Sequence, residues 1–389
     1  MRKIWPFTFN ALLFAGYASV APFLVLYYQS LGFTGAQIGV LTGITPIITL
    51  VAAPLWTGLA DATRRHRLFM SIAMLGGTLS VFAFPLVSTF GRVLLLAIVL
   101  GAFSAPVSAF ADSATMFMLK DRTDMYGRIR LGGTLGYGLA AMIAGVLVQS
   151  EGLRLAFWGG AAMWLLALAV SQVFVYSPVK PVGSTRSGVR WLLTNRRWQL
   201  FLILAFAGGL AEAGINSFLF PYLKELGAGE SMMGLALTVG TLSEIPVLFF
   251  GNRLIKRLKP YGLLMLAMVI TGARMLLFAA SDAPYFVLFL LMLSGLAFPA
   301  MWLAGVAYAD ENAPAGLSAT AQGLFSAMVW GFGAAVGGFA GGPLLESVGG
   351  RGLYFVFGSV VLVTVAFAAL MRGRADASMK ADETHESEP

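Results

Sequence analysis

Three carboxylates and two guanidinium groups, Asp112, Glu212, Glu244, Arg130 and Arg274, fall within stretches otherwise apolar enough to cross a membrane. A charge at the bilayer centre costs about 2.5–3.5 kcal/mol on insertion scales, so such groups face cavities and pair with one another. Their chemistry is proton exchange and hydrogen bonding to a polar solute. Burial favours the protonated carboxyl and a neighbouring arginine favours the ionised one, so a movement that exchanges these influences loads and releases a proton. The two histidines, His66 and His385, lie outside the apolar stretches. A proton in transit therefore falls to Glu244, Glu212 or Asp112. The chain has no cysteine and no HExxH or GxSxG sequence. No metal site, no cofactor beyond the proton as coupling ion, and no enzyme activity are expected.

Spacing suggests which groups meet. Asp112 and Arg130 lie on two consecutive apolar stretches joined by a short loop, which makes them spatial neighbours. Glu244 and Arg274 lie on the next such pair in the second half, with backbones differing in depth by roughly 9 Å at 1.5 Å per residue; two long side chains nearly close that gap, and a pair is expected. Glu212, near mid-bilayer, has no obvious basic partner. Asn216, one turn on, is placed to share its network. After Arg130 the sequence "LGGTLGYG" brings Gly132 and Gly136 into a small-xxx-small pattern that lets helix backbones approach closely.

The elements that position these residues are transmembrane helices. Of the 389 residues, 58% are hydrophobic and 11% charged, against about a quarter charged in soluble domains. Twelve spans are predicted, near 5–28, 37–60, 68–88, 92–118, 129–149, 154–176, 198–222, 231–252, 261–280, 284–309, 316–343 and 352–371. Alternate loops and both termini carry 20 of the 26 Lys and Arg residues. The positive-inside rule then places both termini in the cytoplasm, the chain being a multi-pass protein of the cell (inner) membrane. The net charge of +8 is thereby a topology signal, with no nucleic acid as partner.

The chain also repeats itself. "YYQSLGFTGAQIG" (27–39) returns as "YLKELGAGESMMG" (222–234), and "GLRLAF" (152–157) resembles "GRGLYF" (350–355). Six spans per copy preserve orientation, giving parallel repeats about an axis normal to the membrane. The division expected is residues 1–177 as an N-terminal six-helix bundle, 178–195 as a Pro-, Gly- and Ser-rich cytoplasmic linker, 196–372 as a C-terminal bundle and 373–389 as a disordered cytoplasmic tail.

"PLWTGLADATRRHR" (54–67) joins spans 2 and 3 and resembles the signature loop of the major facilitator superfamily, with Thr57 and Ala62 as departures. There Asp61 would form a charge-assisted latch with Arg64 and Arg65, a gating loop. "YGRIRLGGTLGYG" (126–138) resembles span 5 of the branch holding lactose permease, nucleoside permeases and phenylpropionate permease. Lactose permease pairs an acid in span 4 with an arginine eighteen residues later and an aromatic seven residues beyond it, the spacing of Asp112, Arg130 and Tyr137. The resemblance implies that Asp112 and Arg130 hydrogen-bond substrate and that Tyr137 stacks on it. It also implies a cavity lined by spans 1, 4, 7 and 10, onto which Glu212, Tyr17 and Trp302 would open. Gln322, early in span 11, corresponds to Arg130 in the first copy. Tyr27, Tyr28, Phe110, Tyr308 and Trp330 read as lipid-interface or packing aromatics. The span 10 histidine and glutamate of lactose permease have no counterpart here.

The expected protein is all-α, with twelve membrane helices in two pseudo-symmetric bundles. Its expected function is proton-coupled symport of a small organic solute (a sugar, nucleoside or aromatic carboxylate) by alternating access, as a monomer in the lipid bilayer. A proton-coupled drug or metabolite exporter is the alternative.

Overall fold

The computed structural model describes residues 4–119, 125–176, 192, 194–314 and 317–385, with backbone alone beyond Arg372. The linker lies outside these residues apart from Leu192, Thr194 and Asn195. Among the described residues, ten helices are long and apolar enough to cross a membrane. Two of them, Glu230–Ala279 and Thr320–Arg372, have 50 and 53 residues, about 75–80 Å at 1.5 Å per residue, or two crossings each. Non-helical backbone breaks the first at Lys259 (φ 59°) and the second at Gly349 (φ 69°). The described residues are accordingly consistent with twelve crossings in two six-helix bundles. The helices are α1 (Ile4–Ser30), α2 (Gly35–Thr63), α3 (His66–Leu86), α4 (Phe90–Leu119), α5 (Tyr126–Glu151), α6 (Arg154–Ser171), α7 (Arg196–Glu225), α8 (230–258), α9 (260–279), α10 (Pro284–Asn312), α11 (318–348) and α12 (350–385).

Local sequence sets the helix ends. Thr34 and Gln37 form a capping box at the start of α2, satisfying two backbone donors that the first turn leaves free. Asn195 caps α7. Pro22 sits in a 3-10 turn within α1, and Pro106 lies in the break at Ala105–Pro106 in α4. The backbone of α12 stays helical to His385, past the Met371 end read from hydropathy. Ala, Met, Lys and Glu there are good helix formers, and extending an existing helix avoids the cost of nucleation.

The internal repeat reappears as repeated contacts. Tyr27 donates its hydroxyl to the Phe84 carbonyl at the far end of α3. Tyr222, 195 positions on, donates to the Phe278 carbonyl at the far end of α9. Thr42 of α2 donates to the Gly338 carbonyl of α11 at 3.0 Å, and Thr238 of α8 to the Gly138 carbonyl of α5 at 2.8 Å. These last two bonds join the bundles as two-fold-related seams, α2–α11 and α5–α8.

Small residues allow the seams to close. A Cβ on Gly39 would meet the Phe339 carbonyl, and one on Gly145 the Glu230 carbonyl. At one end of the seams the Gly35 amide donates to Glu346 at 2.9 Å and the Ser231 amide to Gln149 at 3.0 Å. Phe23 packs edge-on against Phe220 between α1 and α7. All these contacts lie in the half of the molecule farthest from the chain termini. The deepest, Gly331 against Leu50, is near mid-helix. Within the first bundle, Gly132 and Gly136 bring α5 onto the backbone of α1 at Phe7 and Ala11, the close packing that their spacing suggests.

Candidate functional site

At mid-depth, four helices converge on one cluster. Glu212 of α7 is buried at 7% exposure and accepts from Asn216 Nδ2 at 3.4 Å, so the expected shared network forms. Arg274 of α9 is buried at 2% exposure and lies within electrostatic reach of Glu212 and of Glu244 on α8. Tyr137 of α5, across the seam, lies within electrostatic reach of the same two acids. Counted from the terminus-bearing end of its helix, each residue is about 11–16 positions in, which puts all four at similar depth.

The pairing inside this cluster differs from the one expected. No ion pair joins Arg274 to Glu244 among the described residues. Arg274 Nη1 instead donates to Ser294 Oγ of α10 at 2.6 Å, and its Nε is buried without a partner. The physical reason is lateral packing. Gly295 brings the α10 backbone against α8 at Ser243 and Glu244, and Ser243 Oγ accepts from the Gly295 amide at 3.1 Å. That contact places Ser294 beside the guanidinium. Depth along the helices alone does not register a third helix.

Asp112 and Arg130 do meet, at 3.5 Å, with side chains 39% and 53% exposed. Arg130 Nη1 also donates to the Tyr126 hydroxyl at 3.0 Å, one turn earlier, a partner that i, i+4 spacing could have disclosed. The pair is separate from the Glu212 cluster and nearer the terminus-bearing side.

The remaining residues divide between packing and an aromatic group. Tyr17 stacks edge-on against Trp164 of α6 at 4.9 Å. Gln322 donates to Ser318 at 3.3 Å, Ser318 in turn bonding Asp310 at the terminus-side end of α10. Trp302 belongs to an aromatic group with Phe298, Phe325 and Trp330, its ring 5.2 Å from Phe325 and 6.2 Å from Trp330. Trp330 lies in a π-helical turn, Ala327–Gly333. Val329 packs on Gly209 of α7 and Gly331 on Leu50 of α2, so Trp330 between them is aimed at α10. Such turns recur at functional sites; this one sets Trp330, 43% exposed, against Phe298 and Trp302 of α10, which agrees with the packing half of its reading.

The signature loop is also paired otherwise than expected. Asp61 bonds His66 Nε2 at 2.7 Å rather than Arg64 or Arg65. Arg64 ends α2 in left-handed backbone (φ 56°), which turns the chain back so that the first residue of α3 reaches Asp61. His66 is buried at 7% exposure and stacks on Tyr176 at 5.7 Å. The latch between helices therefore exists, with a histidine in place of the arginines. Among the described residues no three His, Cys, Asp or Glu side chains group to hold a metal.

A family model described as the MFS_1 like family matches residues 7–357. The chain belongs to the major facilitator superfamily. It is 30% identical over 377 residues to a maltose permease of Geobacillus stearothermophilus, covering 96% of this chain and 95% of that one. It is 28% identical over 274 residues to the multidrug resistance protein MdtG of Enterobacter lignolyticus, covering 66% and 65%. Its fold matches the nucleoside transporter NupG with a TM-score of 0.86 at 20% identity, over 95% of this chain and all of that one. The superfamily member described here is a multi-pass membrane transporter, and its relatives are transporters rather than enzymes.

Proposed function

We propose that this transporter is a proton-coupled symporter of a small organic solute, with a sugar as the first candidate, working by alternating access as a monomer. The observation that carries the reading is the Glu212–Glu244–Arg274 cluster. Two acids share one buried arginine whose closest bond is to a neutral serine. Neither acid is committed to a salt bridge, so a small shift of Arg274 changes which carboxylate is best kept ionised. Tyr137, from the opposite bundle, lies within electrostatic reach of both acids and would report bundle movement to them.

The full-length likeness to a maltose permease supports a sugar, with a nucleoside or an aromatic carboxylate next. A ring would stack on Trp302, Trp330 and Tyr137. Asp112 and Arg130 suit solute hydroxyls: at 3.5 Å their contact is looser than the 2.7–2.9 Å of a tight charge-assisted bond, and both side chains are partly exposed, so each keeps hydrogen-bonding capacity for a solute hydroxyl beside the pair. With both termini cytoplasmic in the inner membrane, the seams close the outer side and the state is inward-facing. The MdtG likeness favours a second reading, proton-coupled export of drugs or metabolites.

The test is external pH beside right-side-out vesicles holding the protein, with maltose, nucleosides and aromatic carboxylates added in turn. Transient alkalinisation with one solute, absent in Glu244→Gln, is the expected result. Labelled uptake with no pH change would refute coupling. Silence across the panel, with a pH response to lipophilic cations, would favour export.

A further inference from the structure

On the terminus-bearing side of the first bundle an open cavity of about 730 Å³ lies between α3 and the end of α6. Arg64, Arg65 and Arg67 line it, together with Ser71, Gln172 and Tyr176. No carboxylate lies within 4 Å of these three guanidinium groups among the described residues. The acid nearest in sequence, Asp61, is taken by His66. Arg67 uses one nitrogen on the Phe174 carbonyl at 3.0 Å, which anchors it at the cavity edge. Ser71 and Gln172 bond each other at 2.9 Å across α3 and α6.

Tyr176 adds a donor without an acceptor. Its hydroxyl is buried and has no hydrogen-bond partner, although buried polar groups are almost always bonded. Burial pushes the phenol well above its usual range, against the opposing pull of Arg67, so it remains a donor at any physiological pH. Three cations, an unused phenol and a serine–amide pair form a donor-rich, acceptor-poor site, the chemistry of phosphate recognition.

The rim is apolar. Leu68 and Val175 line the cavity, each 47% exposed. From Leu68 an exposed stripe of Ile72, Leu75 and Leu79 climbs α3 at i, i+4, i+7 and i+11, a single helix face. An acyl chain laid along this face would bring its headgroup to the arginines.

We propose that this cavity is a phosphate-binding site that takes the phosphodiester headgroup of an anionic lipid, or else a free phosphate. Basic pockets between membrane helices are suited to anionic headgroups. Occupancy bridges the α2–α3 turn to the end of α6, fixing the segment that holds the Asp61–His66 bond.

The test uses purified full-length protein titrated with dioctanoyl phosphatidylglycerol, dioctanoyl phosphatidylcholine and inorganic phosphate, with bound adducts counted by native mass spectrometry. A phosphatidylglycerol adduct is expected, weakened about five-fold per arginine removed in Arg64→Gln and Arg65→Gln. Arg253→Gln/Arg257→Gln, near the terminus-side end of α8 in the second bundle, should leave it intact. Val175→Trp keeps every charge but narrows the cavity beside Tyr176, and should weaken the adduct. Inorganic phosphate binding as tightly as the lipid would uphold the site and assign it a soluble ligand. Equal binding of phosphatidylcholine, equal weakening by the Arg253/Arg257 variant, or full binding to Val175→Trp would each overturn the proposal.

Discussion

Replacing Ser294 by alanine tests whether Arg274 is poised between two acids. Arg274 is 2% exposed, and its bond to Ser294 Oγ is 2.6 Å long. A hydrogen bond to a charged group contributes about 1.5–3 kcal/mol, and a buried charge stripped of its partner loses at least that much. In Ser294→Ala the guanidinium has an alternative, because Glu244 lies within electrostatic reach. Pairing with it recovers part of the loss, and the net destabilisation should fall to about 1 kcal/mol. In a Glu212→Gln/Glu244→Gln background both nearby acids are neutral, and the same substitution should cost the full 1.5–3 kcal/mol. The cycle therefore predicts a coupling of about 1–2 kcal/mol between Ser294 on α10 and the two acids on α7 and α8. Equilibrium unfolding in mixed micelles, read by tryptophan fluorescence, measures it. The same swing ties Glu244 to an arginine, so Ser294→Ala should slow solute-driven alkalinisation while Ser294→Thr, which keeps the hydroxyl, preserves it. Additive costs within about 0.5 kcal/mol, with unchanged alkalinisation, would show that Arg274 does not move between partners.

The absence of cysteine makes the seams accessible to clean cross-linking: Gln149→Cys/Ser231→Cys should cross-link readily and stop transport, and wild-type transport by the cross-linked protein would refute the rocking of these bundles. His66→Ala removes a 2.7 Å bond to Asp61 and a ring stacked on Tyr176, and should cost about 1–3 kcal/mol in the same unfolding assay; an unchanged midpoint would deny the latch any role in holding α2 to α3. Trp330→Ala should raise the KM for a ring-bearing solute about 2–12-fold, the equivalent of 0.5–1.5 kcal/mol of stacking, with protein yield unaffected; an unaltered KM would return Trp330 to a packing role.

What could be read from sequence, and what could not, follows from how many helices each feature involves. Span lengths and the half-chain repeat are properties of one strand of sequence, and they emerge directly: Tyr27 and Tyr222, matched by the repeat, make the same bond at the same corner of each bundle. Asp112 and Arg130 need two helices, but consecutive ones joined by a short loop, and adjacency suffices. Glu244 and Arg274 are also on consecutive helices, yet the outcome depends on α10, which Gly295 draws against α8 until Ser294 intervenes. A depth estimate has no coordinate for that approach. At Asp61 the run of arginines suggests the partner by charge, whereas the left-handed residue at Arg64 decides it by direction, turning His66 toward the acid. Trp330 is hidden for a further reason. A 3.6-residue period assigns faces only while the helix keeps that period, and Trp330 lies inside the π-helical turn Ala327–Gly333, where the period is different. The features that escape sequence reading here are therefore those in which a third helix, a single left-handed residue or a local change of pitch redirects a side chain. These are the same places where bundle movement can redirect a charge, and Arg274, bonded to a serine between two acids, is the clearest case.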